Sequence, residues 1–187
     1  MLNIATILPY KENYTEKDAG AVSLWVKDFL KFSKYKRNNI IFGSTKYFPY
    51  LSKNYKNIKI NSLNSKLYSS TNEYLEKVVA ILKKDNFDIV EVHNRPIMIS
   101  SLLKEINSKF ILYLHNDPRS MKGAKTPKER LELLSNVDKI VFITEWVKKK
   151  FFEGLNIDPK NFKCEIIYHS IEIEKTLDKK EKKIVFV

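Results

Sequence analysis

The chain has 187 residues, 43% hydrophobic and 30% charged, enough apolar matter for a buried core, which excludes wholesale disorder. Only 4 glycines and 6 prolines exclude collagen-like and linker-dominated architectures, and the single cysteine, Cys164, excludes an intramolecular disulfide. The net charge of +12 favours anionic partners, but 30 of the 34 basic residues are lysine rather than the arginine suited to bidentate phosphate and base recognition. Nucleic acid is therefore disfavoured, and a lysine bias on a solvated surface explains the excess as well. No apolar run reaches the roughly 20 residues of a membrane span. Leu2 to Leu8 is interrupted by Asn3 and Thr6, lacks a basic leader and ends at Pro9, a poor signal peptide. These features predict a soluble protein of a reducing, cytoplasmic compartment.

Along the chain, short apolar runs alternate with longer helical periods. Asn3–Leu8 reads as a strand. Asp18 is placed to cap a helix in which Val22, Trp25, Val26, Phe29 and Leu30 share one face. Asn39–Phe42 and Ile58–Ile60 are short strand candidates joined by a Tyr- and Lys-rich connection. Ser70 to Glu73 fits a capping box opening a helix through Val78, Val79 and Leu82. Asp88–Val92 reads as a strand, Ile97–Ile106 as a helix after Pro96, and Lys109–Leu114 as a strand. Thr126-Pro127-Lys128-Glu129 is a second capping box with proline at the first helical position. Lys139–Ile143 is a strand, Thr144 caps the next helix, and Glu165–Tyr168 is the last full strand. The charged segment 174–183 reads as a linker, and Ile184–Val187 as the opening strand of a second domain. The alternation predicts a doubly wound α/β domain over 1–173 with a mostly parallel sheet of about seven strands, followed at 174–187 by the linker and that first strand.

In open parallel sheets, ligands bind beyond the carboxyl ends of the strands. All three histidines fall there: His93 and His115, followed by Asn94-Arg95-Pro96 and Asn116-Asp117-Pro118, and His169. Each suits a general base, a donor to a sugar hydroxyl or a phosphate partner, and each equally suits a polar strand terminator bonded to nearby backbone. No histidine pair has metal-site spacing, so no metal is expected. Asp18-Ala19-Gly20-Ala21 brings small residues to a helix N-terminus, where free N–H groups favour an anion, although a plain cap followed by close packing fits as well. Residues 46–68 interleave Tyr47, Phe48, Tyr50, Tyr55 and Tyr68 with Lys46, Lys53, Lys56, Lys59 and Lys66. Such a stretch suits weak, salt-sensitive contact with an anionic membrane surface or a single-stranded nucleic acid, and equally suits aromatics packed inward beside solvated lysines. The aromatics of the helix after Thr144 read as inward packing beside solvated lysines.

Residues 87–96 (FDIVEVHNRP), 112–117 (LYLHND), 137–147 (VDKIVFITEWV) and 165–172 (EIIYHSIE), with the Ala19-Gly20-Ala21 turn, give the chain a resemblance to the N-terminal half of family 4 glycosyltransferases. These retaining, nucleotide-sugar-dependent enzymes have two Rossmann-like domains, the GT-B architecture. The resemblance implies transfer of a sugar from a nucleotide-diphosphate donor to a saccharide or lipid-linked acceptor, as in polysaccharide or lipopolysaccharide biosynthesis, with no cofactor. It implies that Gly20, with Ala19, approaches the donor diphosphate and that His115 sits at the reacting centre. His93, Asn94, Arg95, Asn116 and Asp117 would line the acceptor side, with Thr144 and Glu145 capping a helix that faces the cleft. The chain departs from relatives in having Ala19-Gly20 where many carry two glycines, and His169-Ser170-Ile171-Glu172 where they commonly carry a glycine-containing turn. The alternative of another class is a non-catalytic Rossmann-like module that holds an anionic or saccharide partner. The resemblance also implies that this chain alone is inactive, since the donor-binding domain would lie beyond it, and that the location is cytoplasmic, at the inner face of the membrane.

Overall fold

The computed structural model describes residues 2–60 and 70–169. Among them, seven strands form one sheet: β1 (Ile4–Ile7), β2 (Asn39–Gly43), β3 (Tyr55–Asn57), β4 (Ile89–His93), β5 (Lys109–Leu114), β6 (Lys139–Phe142) and β7 (Cys164–Ile166). Their spatial order is β3-β2-β1-β4-β5-β6-β7, and every pairing is parallel. Parallel neighbours need crossover connections, and five helices supply most of them: α1 (Ala21–Phe32), α2 (Ser70–Asp85), α3 (Ile99–Glu105), α4 (Pro127–Asn136) and α5 (Glu145–Phe152). The chain grows outward from β1 to β3, then returns to lay β4 on the other side of β1. This is the doubly wound, Rossmann-like α/β fold, and its strand order reverses between β1 and β4, where a crevice opens at the carboxyl edge.

Alternation along the strands divides the core in two. Ala5, Ile7, Phe42, Val90, Val92, Leu112, Leu114, Ile140 and Phe142 pack with α2, α3, α4 and α5. Leu8, Ile41, Tyr113 and Val141 point to the opposite face, where Val22, Trp25 and Val26 of α1 meet them. On α5, Val147, Phe151 and Phe152 are buried as the packing reading expects, while Trp146 is exposed with Lys150 over its ring.

The local signals hold where the side chain does the capping itself. In α4, Thr126 Oγ1 accepts from Glu129 N at 3.2 Å and Glu129 Oε2 accepts from Thr126 N at 2.7 Å, the reciprocal box read from the sequence. In α5, Thr144 Oγ1 accepts from Val147 N at 3.1 Å. The start of α1 corrects the expectation. Its N-cap is Gly20, not Asp18, and the cap oxygen comes from Glu12, whose Oε1 accepts from Val22 N at 3.1 Å and Ser23 N at 3.2 Å. A carboxylate folding back from ten residues upstream does the work that Asp18, two residues too early, does not reach.

The third strand is a second correction. It covers Tyr55–Asn57 rather than Ile58–Ile60, because the buried Tyr55 ring stacks on Tyr14 and anchors the pairing earlier. Ile58 continues the ladder by one bond, donating its N–H to Gly43 O at 2.7 Å. The helix expected over Ile97–Ile106 begins as a 3₁₀ turn, Pro96–Met98, before α3. The last strand is three residues, Cys164–Ile166, and Tyr168 lies beyond it, exposed. The linker at 174–183, the strand expected at Ile184–Val187, and Lys66 and Tyr68 of the aromatic stretch lie outside the described residues.

Candidate active site

The polar residues of the sheet gather on the α1 face, near the switch point. Within β4, Val90 and Val92 face the apolar core, so Glu91 and His93 must face the other way. Register places Thr6 beside Glu91 and Tyr113 beside His93. Thr6 Oγ1 lies 2.6 Å from Glu91 Oε2 and 3.0 Å from Asn39 Oδ1, and Tyr113 donates to Glu91 Oε1 at 3.2 Å. Thr6 has one hydroxyl hydrogen and cannot donate to both oxygens. Whichever oxygen takes the Thr6 hydrogen, Glu91 is tied to Thr6 and Tyr113, and Thr6 to Asn39. Burial raises the Glu91 pKa, and the hydrogen bonds from Thr6, Tyr113 and Asn39 work against the shift.

Above this network sit two histidines. His93 stacks on Tyr113 with ring centroids 4.4 Å apart and planes 5° apart. Its Nδ1 is 3.0 Å from Nε2 of His115, which follows β5 directly. His93 is 1% exposed and His115 8%, so His93 lies beneath, and any influence it has on a ligand passes through His115. Trp25 of α1 closes the pair from above, its ring edge-on to His115 at 5.3 Å and tilted against His93 at 5.8 Å. Burial drives both pKa values down: His93 well below its usual value, with His115 as a further cause, and His115 to about 4, with His169 as a further cause.

The shared hydrogen has a preferred side. His93 Nε2 is buried without a hydrogen-bond partner. If His115 donated, His93 would carry its own hydrogen on that orphaned nitrogen. Placing the hydrogen on His93 Nδ1, donated to His115 Nε2, avoids that orphaned N–H. His115 then carries its hydrogen on Nδ1 and is disposed to act as a hydrogen-bond donor.

The neighbouring loop is fixed by the same elements. Asn94 has φ +54°, a left-handed conformation asparagine tolerates, and its Oδ1 accepts from His115 N at 2.9 Å. Arg95 Nη1 donates to Asn94 O at 2.9 Å. Asn116 is exposed, whereas Asp117 accepts from Arg119 N at 2.9 Å and caps the 3₁₀ turn Pro118–Ser120. Thr144 is spent on its cap, and Glu145 is exposed at the first turn of α5 on the adjacent strand end. His169 is exposed, 3.5 Å from Asp28 Oδ2 on α1. Thus His93, Asn94 and His115 form one cluster with His169 near it, and Gly20 belongs to the α1 terminus rather than to the cluster.

At Gly20 the backbone is ordinary, with φ −72°, so conformational freedom is not what calls for glycine. A Cβ there would collide with the Glu12 carboxylate. The residue allows close approach of an anion to the α1 N-terminus, and Glu12 supplies that anion. Glu12, Trp25, Glu91 and Tyr113 are the site residues that sequence reasoning overlooked. Only Glu91 carried a signal, as a charged residue within an otherwise apolar strand.

A cavity of about 620 Å³ lies at the opposite, amino-terminal edge, lined by Asp88, Lys109 and Asp138 among others. Its carboxylates are already engaged, Asp88 by Asn3 N at 2.7 Å and Asp138 by Phe110 N at 2.8 Å, so they fasten strands. Among the described residues, no three His, Cys, Asp or Glu side chains group so as to hold a metal ion, and no helix is long and apolar enough to cross a membrane.

Comparison with known proteins agrees with this architecture. No family model matches the chain. Over 81 residues, 43% of the chain and 20% of the other protein, it is 37% identical to the Bacillus subtilis (strain 168) protein named "Putative glycosyltransferase YtcC". Among solved structures, it resembles the lipopolysaccharide outer core galactosyltransferase WaaB, with TM-score 0.64 and 16% identity over 95% of this chain and 50% of that one. Sucrose-phosphate synthase from Thermosynechococcus elongatus gives TM-score 0.61 and 13% identity over 90% and 48%. UDP-N-acetylglucosamine 2-epimerase from Rickettsia bellii gives 0.50 and 15% over 88% and 44%. The chain thus spans about half the length of these solved structures, and the matched segment a fifth of YtcC. The fold is a Rossmann-like domain of the GT-B kind.

Proposed function

We propose that this chain is the acceptor-side half of a retaining glycosyltransferase that moves a sugar from a nucleotide-diphosphate donor to a saccharide or lipid-linked acceptor. The observation that carries the reading is the 37% identity over 81 residues to a protein named as a glycosyltransferase. The shared fold alone would not suffice, because one fold hosts many activities, an epimerase among them. The buried histidine pair at the switch point adds a site of the right character.

In this reading His115 meets the transferred sugar at the reacting centre, donating a hydrogen bond from Nδ1. His93 and Asn94 hold it in place, and Arg95, Asn116, Asp117 and Glu145 border the acceptor. The leaving diphosphate is stabilised by N–H groups at the start of α1, once the Glu12 carboxylate withdraws and Ala19-Gly20 lets the phosphate come close. Such stabilisation needs no metal. A second α/β domain supplies the main diphosphate contacts, so the chain by itself binds donor no tighter than about millimolar and does not turn over. The protein works in the cytoplasm. Its exposed Tyr47 and Phe48, beside lysines, rest on the inner membrane face during work on lipid-linked acceptors.

The test is an assay of nucleoside diphosphate released by a version carrying the second domain, with a panel of nucleotide sugars. Release with retained anomeric configuration is expected, and His115→Ala should lower turnover by at least about 100-fold while leaving folding intact. Saccharide binding without any release would replace the enzyme reading with that of a binding module.

A further inference from the structure

A second cavity, of about 600 Å³, opens on the same carboxyl edge as the histidine pair, at the ends of β1, β2 and β3. Three lysines reach it from three separate segments: Lys11 after β1, Lys46 after β2 and Lys59 after β3. All three are exposed, and among the described residues none of their ammonium groups is paired with a carboxylate. Elsewhere Lys56, Lys77, Lys83, Lys139 and Lys150 each have such a partner. What distinguishes the three is convergence: they reach one cavity from three segments, and no aspartate or glutamate among the described residues lines it.

Two features indicate that the cavity is built rather than incidental. Thr45, 7% exposed, donates its N–H to Asn57 Oδ1 at 2.9 Å and its hydroxyl to Asn13 Oδ1 at 3.1 Å, and its carbonyl accepts from Asn57 Nδ2 at 3.1 Å. This ties the loops after β1 and β2 to the end of β3 in one polar floor. Lys11 has φ +66°, a conformation a side-chain-bearing residue seldom adopts, and its ammonium lies 5.5 Å from the centroid of the Tyr10 ring. Tyr10 and Tyr47 also line the cavity.

We propose that this cavity binds the phosphate ester of the acceptor. Three point charges without competing carboxylates suit a phosphate dianion, and adjacent tyrosine rings suit the sugar or glycerol attached to it. The position also fits. Strands lie about 4.8 Å apart, and two to four spacings separate β1, β2 and β3 from β5, so the cavity begins roughly 10 Å from His115 and extends to about 20 Å. A sugar phosphate or sugar diphosphate spans that gap. The proposal rests on the glycosyltransferase reading for the word acceptor, but its binding step is measurable without catalysis. The phosphate can belong to a soluble sugar phosphate or to a lipid headgroup.

The chain is titrated with glucose 6-phosphate, glucose, inorganic phosphate and uridine diphosphate while backbone amide shifts are followed. It is also sedimented with phosphatidylglycerol vesicles. Glucose 6-phosphate should bind saturably, moving the amides of Lys11, Thr45 and Lys59, and glucose should not. Lys11→Gln, Lys46→Gln and Lys59→Gln together should weaken binding at least about tenfold, while the same charge loss at Lys128, Lys149 and Lys160 should not. Vesicle binding abolished by the first set alone, without glucose 6-phosphate binding, assigns the phosphate to a lipid-borne acceptor. Equal loss from both sets, or no response to either phosphate source, overturns the site, as does preferential saturation by uridine diphosphate. Phosphate binding here, with no diphosphate release by the two-domain protein, keeps the cavity and refutes the transferase instead.

Discussion

The two faces of the sheet are built from the same strands and differ in almost everything else. Under α2 to α5 the strands present alanine, valine, isoleucine, leucine and phenylalanine, and the buried Arg130 of α4 is spent on the carbonyls of Ala124, Lys125 and Glu153. Under α1 the same strands present Thr6, Asn39, Glu91, His93 and Tyr113, all buried and joined by hydrogen bonds or ring contacts. Burying polar groups gains less than burying hydrocarbon, and any unpaired member costs about 1–3 kcal/mol. A face assembled that way is poorly explained by stability. The contrast teaches that one face of the sheet is lined by hydrocarbon, while the other mixes Leu8, Ile41 and Val141 with ionisable groups held dry beside the crevice where the strand order reverses.

The sharpest way to break this division is to damage the apolar face and look for effects on the polar one. Phe142 is fully buried and touches Phe151 and Phe152 of α5. Phe142→Ala should cost about 3–5 kcal/mol in urea unfolding, from lost transfer energy and the cavity left behind. In the molecules that remain folded, the His115 imidazole resonances should keep their positions. A large shift there would mean that the two faces are not independent.

The converse experiment addresses Glu91. Glu91→Ala strips Tyr113 and Thr6 of a partner and should cost about 1–3 kcal/mol. Glu91→Gln, an isostere that keeps a partner for both hydroxyls, should cost less than Glu91→Ala. With the folded pKa raised above the ordinary 4.5, the native state keeps a proton that the unfolded chain gives up. Stability contributed by Glu91 is present below pH 4.5 and declines as pH rises through the folded pKa. Glu91→Gln should remove that decline from a series of urea titrations.

The histidines have the opposite sign. As pH falls through about 6.5 the unfolded chain takes up protons on His93 and His115, and the folded chain, with both pKa values depressed, does not. Stability should fall with falling pH, by up to about 1.4 kcal/mol per pH unit for each histidine. For His115 the window closes near pH 4, where the folded form also protonates. In the Glu91→Gln background, where the opposing carboxyl contribution is gone, His93→Phe keeps a ring on Tyr113 and should halve the slope between pH 6 and 5. Nitrogen-15 spectra of the imidazoles should show the hydrogen of wild-type His115 on Nδ1, a preference that His93→Phe should relax. An unchanged slope would mean that His93 is not the buried neutral group its surroundings imply.

Much of this arrangement was legible in the sequence. Short-range signals gave the strand–helix alternation, the caps at Thr126 and Thr144 and the placing of His93 and His115 at strand ends, because each depends on residues a few positions apart. The pairing of the two histidines was not legible, since it depends on the register of β4 against β5, separated by 22 residues. Trp25 read correctly as an apolar helix position, but nothing local shows that its ring covers imidazoles rather than hydrocarbon. Tyr55 drew the third strand three residues earlier than hydropathy alone suggests, through a stacking contact with Tyr14 in another loop. Glu12 escaped because a cap is sought immediately before its helix, and this one arrives from ten residues upstream.

Glu12 offers the smallest effect and the most direct bearing on the polar face. Its carboxylate holds two N–H groups of α1 in the place where a donor phosphate would be received. Glu12→Ala should lower stability by about 1 kcal/mol, the usual cost of losing an N-terminal cap. Glu12→Gln retains an acceptor oxygen and should cost a few tenths of that, the lost charge accounting for the remainder. Freed N–H groups and the positive end of the helix are then open to another anion. Uridine diphosphate should bind Glu12→Ala more tightly than wild type, by about two- to fivefold, equivalent to the 0.3–1 kcal/mol a charge is worth at a helix terminus. The gain should shrink as salt is raised, because the terminus is half-exposed. Calorimetry on the wild type and both variants separates the possibilities. A weaker or unchanged affinity in Glu12→Ala would show that Glu12 is only a structural cap and that the diphosphate is received elsewhere on the carboxyl edge.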